Sequence, residues 1–299
     1  MSTPQRAVAV DWSTEASRLS AAVTEDADWY AAMARALVRP TDRLAADIGC
    51  GGAGMAIALA AALPPDTLVI GVDGDDDVFA GARRNVVHAG LDEERVRLVR
   101  ADLHEELQTS GGTGLDAARG ADVIWAAASI HHLGDQQAAL DTLAGLLAPG
   151  GRLALAEGGL PRRHLPWDLG LGKPGLEARL HAAEDRWFAR MRASLPGSVR
   201  MPYGWPTALR RAGLVDVATR TWTFHTPAPL DESARARVLD SLAHRVRRVT
   251  DDGEMADDDA RAWSRLLDPD DPEWLGHRDD VYSLSARSVY LGYRAPSDG

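Results

Sequence analysis

Residues with chemical potential gather in a few short stretches of this chain. Asp47-Ile48-Gly49-Cys50-Gly51-Gly52-Ala53-Gly54 is a glycine-rich turn headed by a carboxylate. Such a turn lets the backbone approach a ligand closely, and the helix start that follows supplies unpaired N–H groups. Gly49, Gly51 and Gly54 also satisfy G-x-G-x-x-G, which taken alone fits a dinucleotide site. Asp47, two residues ahead of the first glycine, disfavours a pyrophosphate and suits an ammonium or sulfonium group. In Val72-Asp73-Gly74 a carboxylate can accept hydrogen bonds from both hydroxyls of a ribose, and it rejects a 2′-phosphate. In Arg100-Ala101-Asp102-Leu103 the carboxylate could accept from an adenine amino group, with Leu103 and Phe79 flanking the ring. Together these residues describe a site for an adenosine that carries positive charge.

Each has a structural alternative. Asp47 and Asp73 could cap the following helix or turn, as Asp often does. Cys50 resembles a nucleophile, but inside the ligand turn a small side chain is the simpler requirement. His131 and His132, in Ser129-Ile130-His131-His132-Leu133, titrate near neutral pH and could take a proton from an acceptor hydroxyl or amine. Equally, one could orient the loop or touch cofactor while the other packs. His164, Trp167, Trp187, Tyr203 and Trp205 could line an apolar, aromatic-rich acceptor pocket, though some of them must be core.

These residues need a frame. From Arg43 onward, short apolar runs alternate with helical stretches, the rhythm of βαβ units around a parallel, doubly wound sheet. Strands are expected near Leu44–Ile48, Leu68–Val72, Val96–Val99, Asp122–Ala126 and Arg152–Ala156, with helices at about Met55–Leu63, Asp76–Ala89 and Gln136–Leu147. Ala148-Pro149-Gly150-Gly151 reads as a turn, since proline cannot continue the helix. Gly158 to Gly175, rich in Gly and Pro, reads as a surface loop or lid. Apolar residues at spacings of three and four place a helix at Leu176–Ser194. Further strands are expected at Leu214–Phe224 and Ser285–Tyr293, helices near Asp231–Val249 and Met255–Leu267, and one or two helices over Asp11–Val38. Arg235, Arg237, Arg245, Arg247 and Arg248 form a basic face, followed by acidic Asp251, Asp252, Glu254, Asp257, Asp258 and Asp259; both read as solvated surfaces facing one another.

Composition narrows the partners. Lys+Arg 33 against Asp+Glu 44 leaves a net charge of −11, which argues against a general grip on nucleic acid. With one cysteine the chain cannot form an internal disulfide, a thiolate-ligated zinc site or an iron–sulfur cluster, and no metal is expected. Met1 to Val10 has no apolar run of signal-peptide length, and no stretch approaches the roughly 18 apolar residues of a membrane helix. A soluble, cytoplasmic protein without a membrane partner is expected; oligomeric state is open.

At these residues the chain resembles the class I S-adenosylmethionine-dependent methyltransferases. The likeness rests on Asp47–Gly54, Asp73, Asp102, the strand leading to Ser129–Leu133 and Pro149-Gly150-Gly151, and covers about Arg43–Glu157 well. It implies a Rossmann-like α/β sheet of seven strands, the last antiparallel, carrying helical lid insertions. It implies S-adenosyl-L-methionine as cofactor, S-adenosyl-L-homocysteine as product and a small-molecule methyl acceptor. By position, Asp47, Gly49 and Gly51, with Cys50 between them, fall at the methionine moiety and Ala126 contributes backbone beside it. Asp73 with Gly74 falls at the ribose, and Asp102 with Leu103 at the adenine. The expected organisation is an N-terminal helical cap over 1–42 and a methyltransferase domain over 43–299, with helical insertions at about 160–195 and 228–283. The last is a departure from the tight hairpin usual between the final strands. Two other activities stay open: a fold that binds the cofactor without transferring methyl, as a cyclase or regulatory module, and a nicotinamide-dependent oxidoreductase.

Overall fold

The computed structural model describes residues 12–108 and 114–296 of the 299; the expectations for Met1 to Val10 and for Asp11 as a helix start lie outside them. In chain order the elements are α1 (Trp12–Glu25), α2 (Ala27–Leu37), β1 (Leu44–Ile48), α3 (Gly54–Ala62), β2 (Leu68–Asp73), α4 (Asp76–His88), β3 (Val96–Arg100) and α5 (Leu103–Gln108). Then come β4 (Ala121–Ala127), α6 (Gln136–Leu146), β5 (Leu147–Arg163), α7 (Leu176–Ser194), α8 (Trp205–Arg211), β6 (Val215–Thr226), α9 (Glu232–Asp251), α10 (Asp257–Leu267) and β7 (Ser283–Tyr293).

The seven strands form one sheet in the order β3-β2-β1-β4-β5-β7-β6. β1 pairs in parallel with β2 and β4, β2 with β3, and β4 with β5. β7 runs antiparallel to β5: Gly150 and Gly151 bond Arg294, while Gly159 lies against Ala286, so the numbering runs in opposite senses. Strands β1, β2 and β4 are short apolar runs buried on both faces, as strands covered by helices on two sides must be. Ile48, Ile70, Val72, Ile124, Leu140, Leu143, Leu153 and Leu155 share one core cluster. Trp125 is fully buried on β4 and meets Trp29 of α2 edge-on at 5.7 Å. Helix starts are fixed by aspartates: Asp75 accepts from Asp77 and Val78 N–H, Asp135 from Ala138 N–H and Asp231 from Ala234 N–H. The chain steps from β3 back to β4 beside β1, so strand order reverses there and opens a crevice at the strands' carboxyl ends.

Three expectations are corrected. Ala148–Gly151 is not a separate turn: α6 runs into β5, and the four residues are absorbed as an irregularity, Ala121 pairing Leu147 and Val123 pairing Arg152. Gly158–Arg163 is strand rather than loop, because Gly159, read as a breaker, instead admits a close backbone; a Cβ there would meet Ala286 O at 2.1 Å. The basic and acidic faces near α9 do not face each other. α9 packs on α7, which supplies the opposite charges: Arg245 and Arg248 bond Glu184, while Asp259 takes Arg179 and Glu254 takes Arg186 and Arg190. Arg245 is buried.

The chain divides into two compact units. Among the described residues, one holds 12–108, 114–157, 195–220 and 288–296, the other 158–194 and 221–287. The first unit contains β1 to β4 with α1 to α6. The second contains α7, α9 and α10, where Glu177 accepts from His164 and Leu165 N–H groups and Arg245 makes a two-bond pair with Glu184.

Candidate functional site

The crevice is built from strand ends set level by parallel register. Asp47 pairs Gly71 and Trp125, Ile48 pairs Val72 and Ala126, and Asp73 pairs Arg100. Asp47, Asp73, Asp102 and Ala126 therefore reach one edge of the sheet, from β1, β2, the end of β3 and β4.

Gly49 adopts φ +67°, and a Cβ there would lie 2.5 Å from Ser129 Cβ, so the turn after β1 and the loop after β4 touch only because this residue is glycine. A Cβ on Gly52 would meet Leu19 O at 2.4 Å, so α1 lies directly on the turn. Cys50 N–H donates to Val72 O, and Ala53 N–H to Cys50 O. Gly51 N–H donates to Asp73 Oδ2 at 2.9 Å.

The three carboxylates are held by these backbone donors. Asp47 Oδ2 accepts from Ala56 N–H at 3.0 Å in the first turn of α3, the capping role that its residue type allows. Asp73 Oδ1 also takes Asp75 N–H at 3.3 Å, and Asp102 Oδ1 takes His104 N–H at 2.7 Å at the start of α5. Asp102 Oδ1 also takes Glu105 N–H at 3.4 Å; each carboxylate oxygen has two acceptor sites, so sites not filled by these donors leave capacity for a ligand. Burial pushes the Asp47 carboxyl up to about 7; the Ala56 N–H opposes this, and the charge of Asp73 adds to it. Burial likewise raises Asp73, against the bonds from Gly51, Asp75 and Gly74. Among the described residues neither has a cationic side-chain partner. Ionising these carboxyls is costly without a counter-charge, and a cationic ligand is what would favour their charged forms.

Cys50 is buried, and burial together with the charges of Asp47 and Asp73 drives its thiol well above its ordinary value. The raised thiol and its buried position both disfavour a nucleophilic role. Gly74 packs against Ala101 O and Asp102 Cα, and the Leu103 side chain lies beside Gly49.

After β4, Ala128 takes φ +48° and a single 3-10 turn spans Ile130–His132. Ser129 Oγ donates to Ile48 O at 3.2 Å. His131 Nδ1 lies 2.7 Å from Glu157 Oε2, and His132 O accepts from His104 Nε2 at 2.8 Å. Glu157 and His104 were not singled out in the sequence. Glu157 had a signal: like Asp47 and Asp73, it is an acid at the carboxyl end of an apolar strand. His104 had none, since its contact crosses from one loop to another.

The aromatic residues divide between the two units. His164, Trp167 and Trp187 belong to the second unit, Tyr203 and Trp205 to the first. Packing accounts for several of them: Trp187 Nε1 donates to Asp252 beneath Arg248, and Tyr203 bonds Gln137 beneath Arg211. Trp167 is 69% exposed.

A family model described as a methyltransferase domain matches residues 46–153. A trans-aconitate 2-methyltransferase of Methylobacterium radiotolerans is 31% identical over 224 residues, 68% of this chain and 77% of that protein. A 27-O-demethylrifamycin SV methyltransferase of Amycolatopsis mediterranei is 34% identical over 146 residues, 49% of this chain; the match spans about half (48%) of that relative's length. A solved candidate methyltransferase from Bacillus halodurans shares the fold with TM-score 0.50 at 16% identity, over 91% of this chain and 100% of that one. Matched across more than two thirds of the trans-aconitate enzyme, the chain belongs to the class I S-adenosylmethionine-dependent methyltransferases.

Proposed function

We propose that this methyltransferase acts on a small-molecule acceptor, passing the sulfonium methyl in line to an O, N or C nucleophile. Asp47, Gly49, Cys50 and Gly51 hold the methionine portion, with the Ala126 backbone beside it. Asp73 and Gly74 hold the ribose, Asp102 and Leu103 the adenine, and His131 or His132 takes a proton where the acceptor must lose one. The observation that carries this assignment is buried Asp47 beside half-buried Asp73, with no cation against either among the described residues. A sulfonium and an ammonium fit there. A pyrophosphate does not: the N–H groups of Gly51 and Ala56, which a phosphate would use, already go to carboxylates. No metal enters the mechanism; catalysis comes from orientation and exclusion of water.

The same reading extends to the whole chain: a helical cap over 1–42, a catalytic domain over 43–299 with insertions at about 160–195 and 228–283, a cytoplasmic setting and no nucleic-acid partner. Among the described residues no helix is long and apolar enough to cross a membrane. The small-molecule class is supported by the relatives, one named for 27-O-demethylrifamycin SV and one for trans-aconitate. Calorimetric titration with S-adenosylhomocysteine and with reduced nicotinamide dinucleotide tests the cofactor: tighter binding of the dinucleotide would overturn the assignment. Radiolabelled methyl transfer to 27-O-demethylrifamycin SV and to trans-aconitate then separates hydroxyl from carboxylate acceptors. Cofactor binding without turnover on any acceptor in a metabolite extract would point to a binding module.

A further inference from the structure

The second unit encloses a polar interior that has no part in the methyl-transfer assignment. His164, just past β5, is 2% exposed, and His181 on α7 and Arg245 on α9 are each 9% exposed. His164 Nδ1 lies 3.2 Å from Tyr282 O, and His181 Nε2 lies 3.0 Å from Arg162 O. A carbonyl only accepts, so these two nitrogens carry the protons, and each neutral ring keeps a bare lone pair on its other nitrogen. Those bare nitrogens, His164 Nε2 and His181 Nδ1, are buried and have no hydrogen-bond partner among the described residues. Protonating either creates an imidazolium N–H with nothing to receive it, which is the costly case for a buried polar group.

The surrounding charges give little relief. On β5, Arg162 Nη1 donates to Ser241 Oγ of α9 at 3.4 Å. On α9, Arg245 turns Nε and Nη2 to Glu184 and leaves Nη1 3.8 Å from Glu177. Both carboxylates stand on α7 and are already engaged: Glu177 accepts from the His164 and Leu165 N–H groups, and Glu184 from Arg245 and Arg248. Ahead of β7, Tyr282 gives its carbonyl to His164 and sends its hydroxyl to Leu165 O. Burial pushes His164 down to about 4, with the charges of Arg245, Arg162 and His181 adding to it and the Tyr282 carbonyl opposing. Burial and Arg245 lower His181 as well, against the Arg162 carbonyl and the charges of Glu177 and Glu184. We propose that His164 and His181 form a proton-operated latch: α7 stays docked on α9 and on residues 162–165 while both rings are neutral, and the docking loosens when they take up protons. In the open form His164 titrates near 6.5, so between that pH and about 4 the open form binds a proton that the closed form does not. Docking is therefore at full strength above pH 6.5 and is lost as pH falls toward 4. Through His164 alone, opening is favoured about 20-fold more at pH 5 than at pH 7.

Hydrogen–deuterium exchange of the full chain at pH 7 and pH 5, read by mass spectrometry and corrected for intrinsic exchange rates, measures this docking. Peptides covering α7 and α9 should lose protection by about 20-fold or more at pH 5, while peptides of β1 and β4 keep theirs. His164→Asn combined with His181→Gln places an amide N–H where each ring donates and removes both titrating groups. In that double variant the protection of α7 and α9 should be equal at the two pH values. A wild-type loss of less than about threefold, or a double variant that loses as much as wild type, overturns the proposal. Should the double variant fail to fold, long-range 1H–15N spectra of wild-type protein labelled at its nine histidines decide at pH 5.5. A neutral ring with its proton on Nδ1, as His164 requires, upholds the latch; the absence of such a ring overturns it.

Discussion

Asp47 has the most distinctive chemistry in the crevice, because its charge is buried and nothing cationic among the described residues faces it. Its carboxyl titrates at about 7 instead of 3.8. A bound sulfonium favours the ionised form, so below pH 7 binding must expel a proton. Affinity for S-adenosylmethionine should rise with pH up to about 7 and then level off. Asp47→Asn should flatten that profile, which calorimetry in buffers of different ionisation heat would detect; an unchanged slope refutes the assignment. Stability moves the other way. Between about pH 4 and 7 the unfolded chain has released this proton and the fold has not, so the native state loses stability across that window and stays level above it. Asp47→Asn should therefore gain over wild type from about pH 4 to 7 in urea unfolding. Asp73→Ala removes an acceptor that also anchors Gly51 N–H, and should weaken S-adenosylhomocysteine binding by about 10- to 150-fold, the range for a charged hydrogen bond. Asp102 is exposed, and its alanine variant should cost only about 3- to 10-fold. At this scale the acids were legible because each ends an apolar strand. Glu157 carries the same signal, masked by the glycines on its C-terminal side, which mimic a loop.

Elements are joined in this fold by a buried ion pair that no periodicity announces. Arg152, at the first regular position of β5, is 2% exposed. Its Nε donates to Leu37 O at 2.5 Å, ending α2; its Nη1 donates to Asp42 Oδ1 at 3.0 Å and Asp122 O at 3.2 Å, and its Nη2 completes the pair with Asp42. One guanidinium thus ties α2, the entry to β1, β4 and β5. Removing one partner of a buried pair leaves the other charge uncompensated, at about 3–5 kcal/mol. Arg152→Met should lower stability by that order in urea denaturation, and adding Asp42→Leu should restore part of it; a loss no greater than that of a surface arginine would contradict the burial seen here. In sequence Arg152 reads as an exposed strand start. By contrast, β1 to β4 and α7 fall within a residue or two of expectation, since apolar runs and three-four spacing record burial directly. The long β5 was cut short because its pairing with β7 depends on residues more than a hundred positions away.

For the molecule as a whole, charge is the property that sequence reports most completely and places least well. The net −11 is visible at once, but the arginine-rich face of α9 has the look of an electrostatic footprint until its partners are known. Those partners come from α7, distant in sequence: Glu184 takes Arg245 at 2.7 Å and Arg248 at 3.1 Å, while Arg179 and Arg186 of α7 bind Asp259 and Glu254 in return. Cations already held by carboxylates release no counterions from a phosphate backbone, and counterion release is the main source of sequence-independent nucleic-acid affinity. The expected outcome is that fluorescence anisotropy with duplex DNA or single-stranded RNA, at about 0.15 M salt, gives no dissociation constant tighter than about 10⁻⁴ M. Binding that is tighter, and that weakens steeply as salt is raised, would mean that arginines outside these pairs form a basic surface, and would reopen nucleic acid as the methyl acceptor.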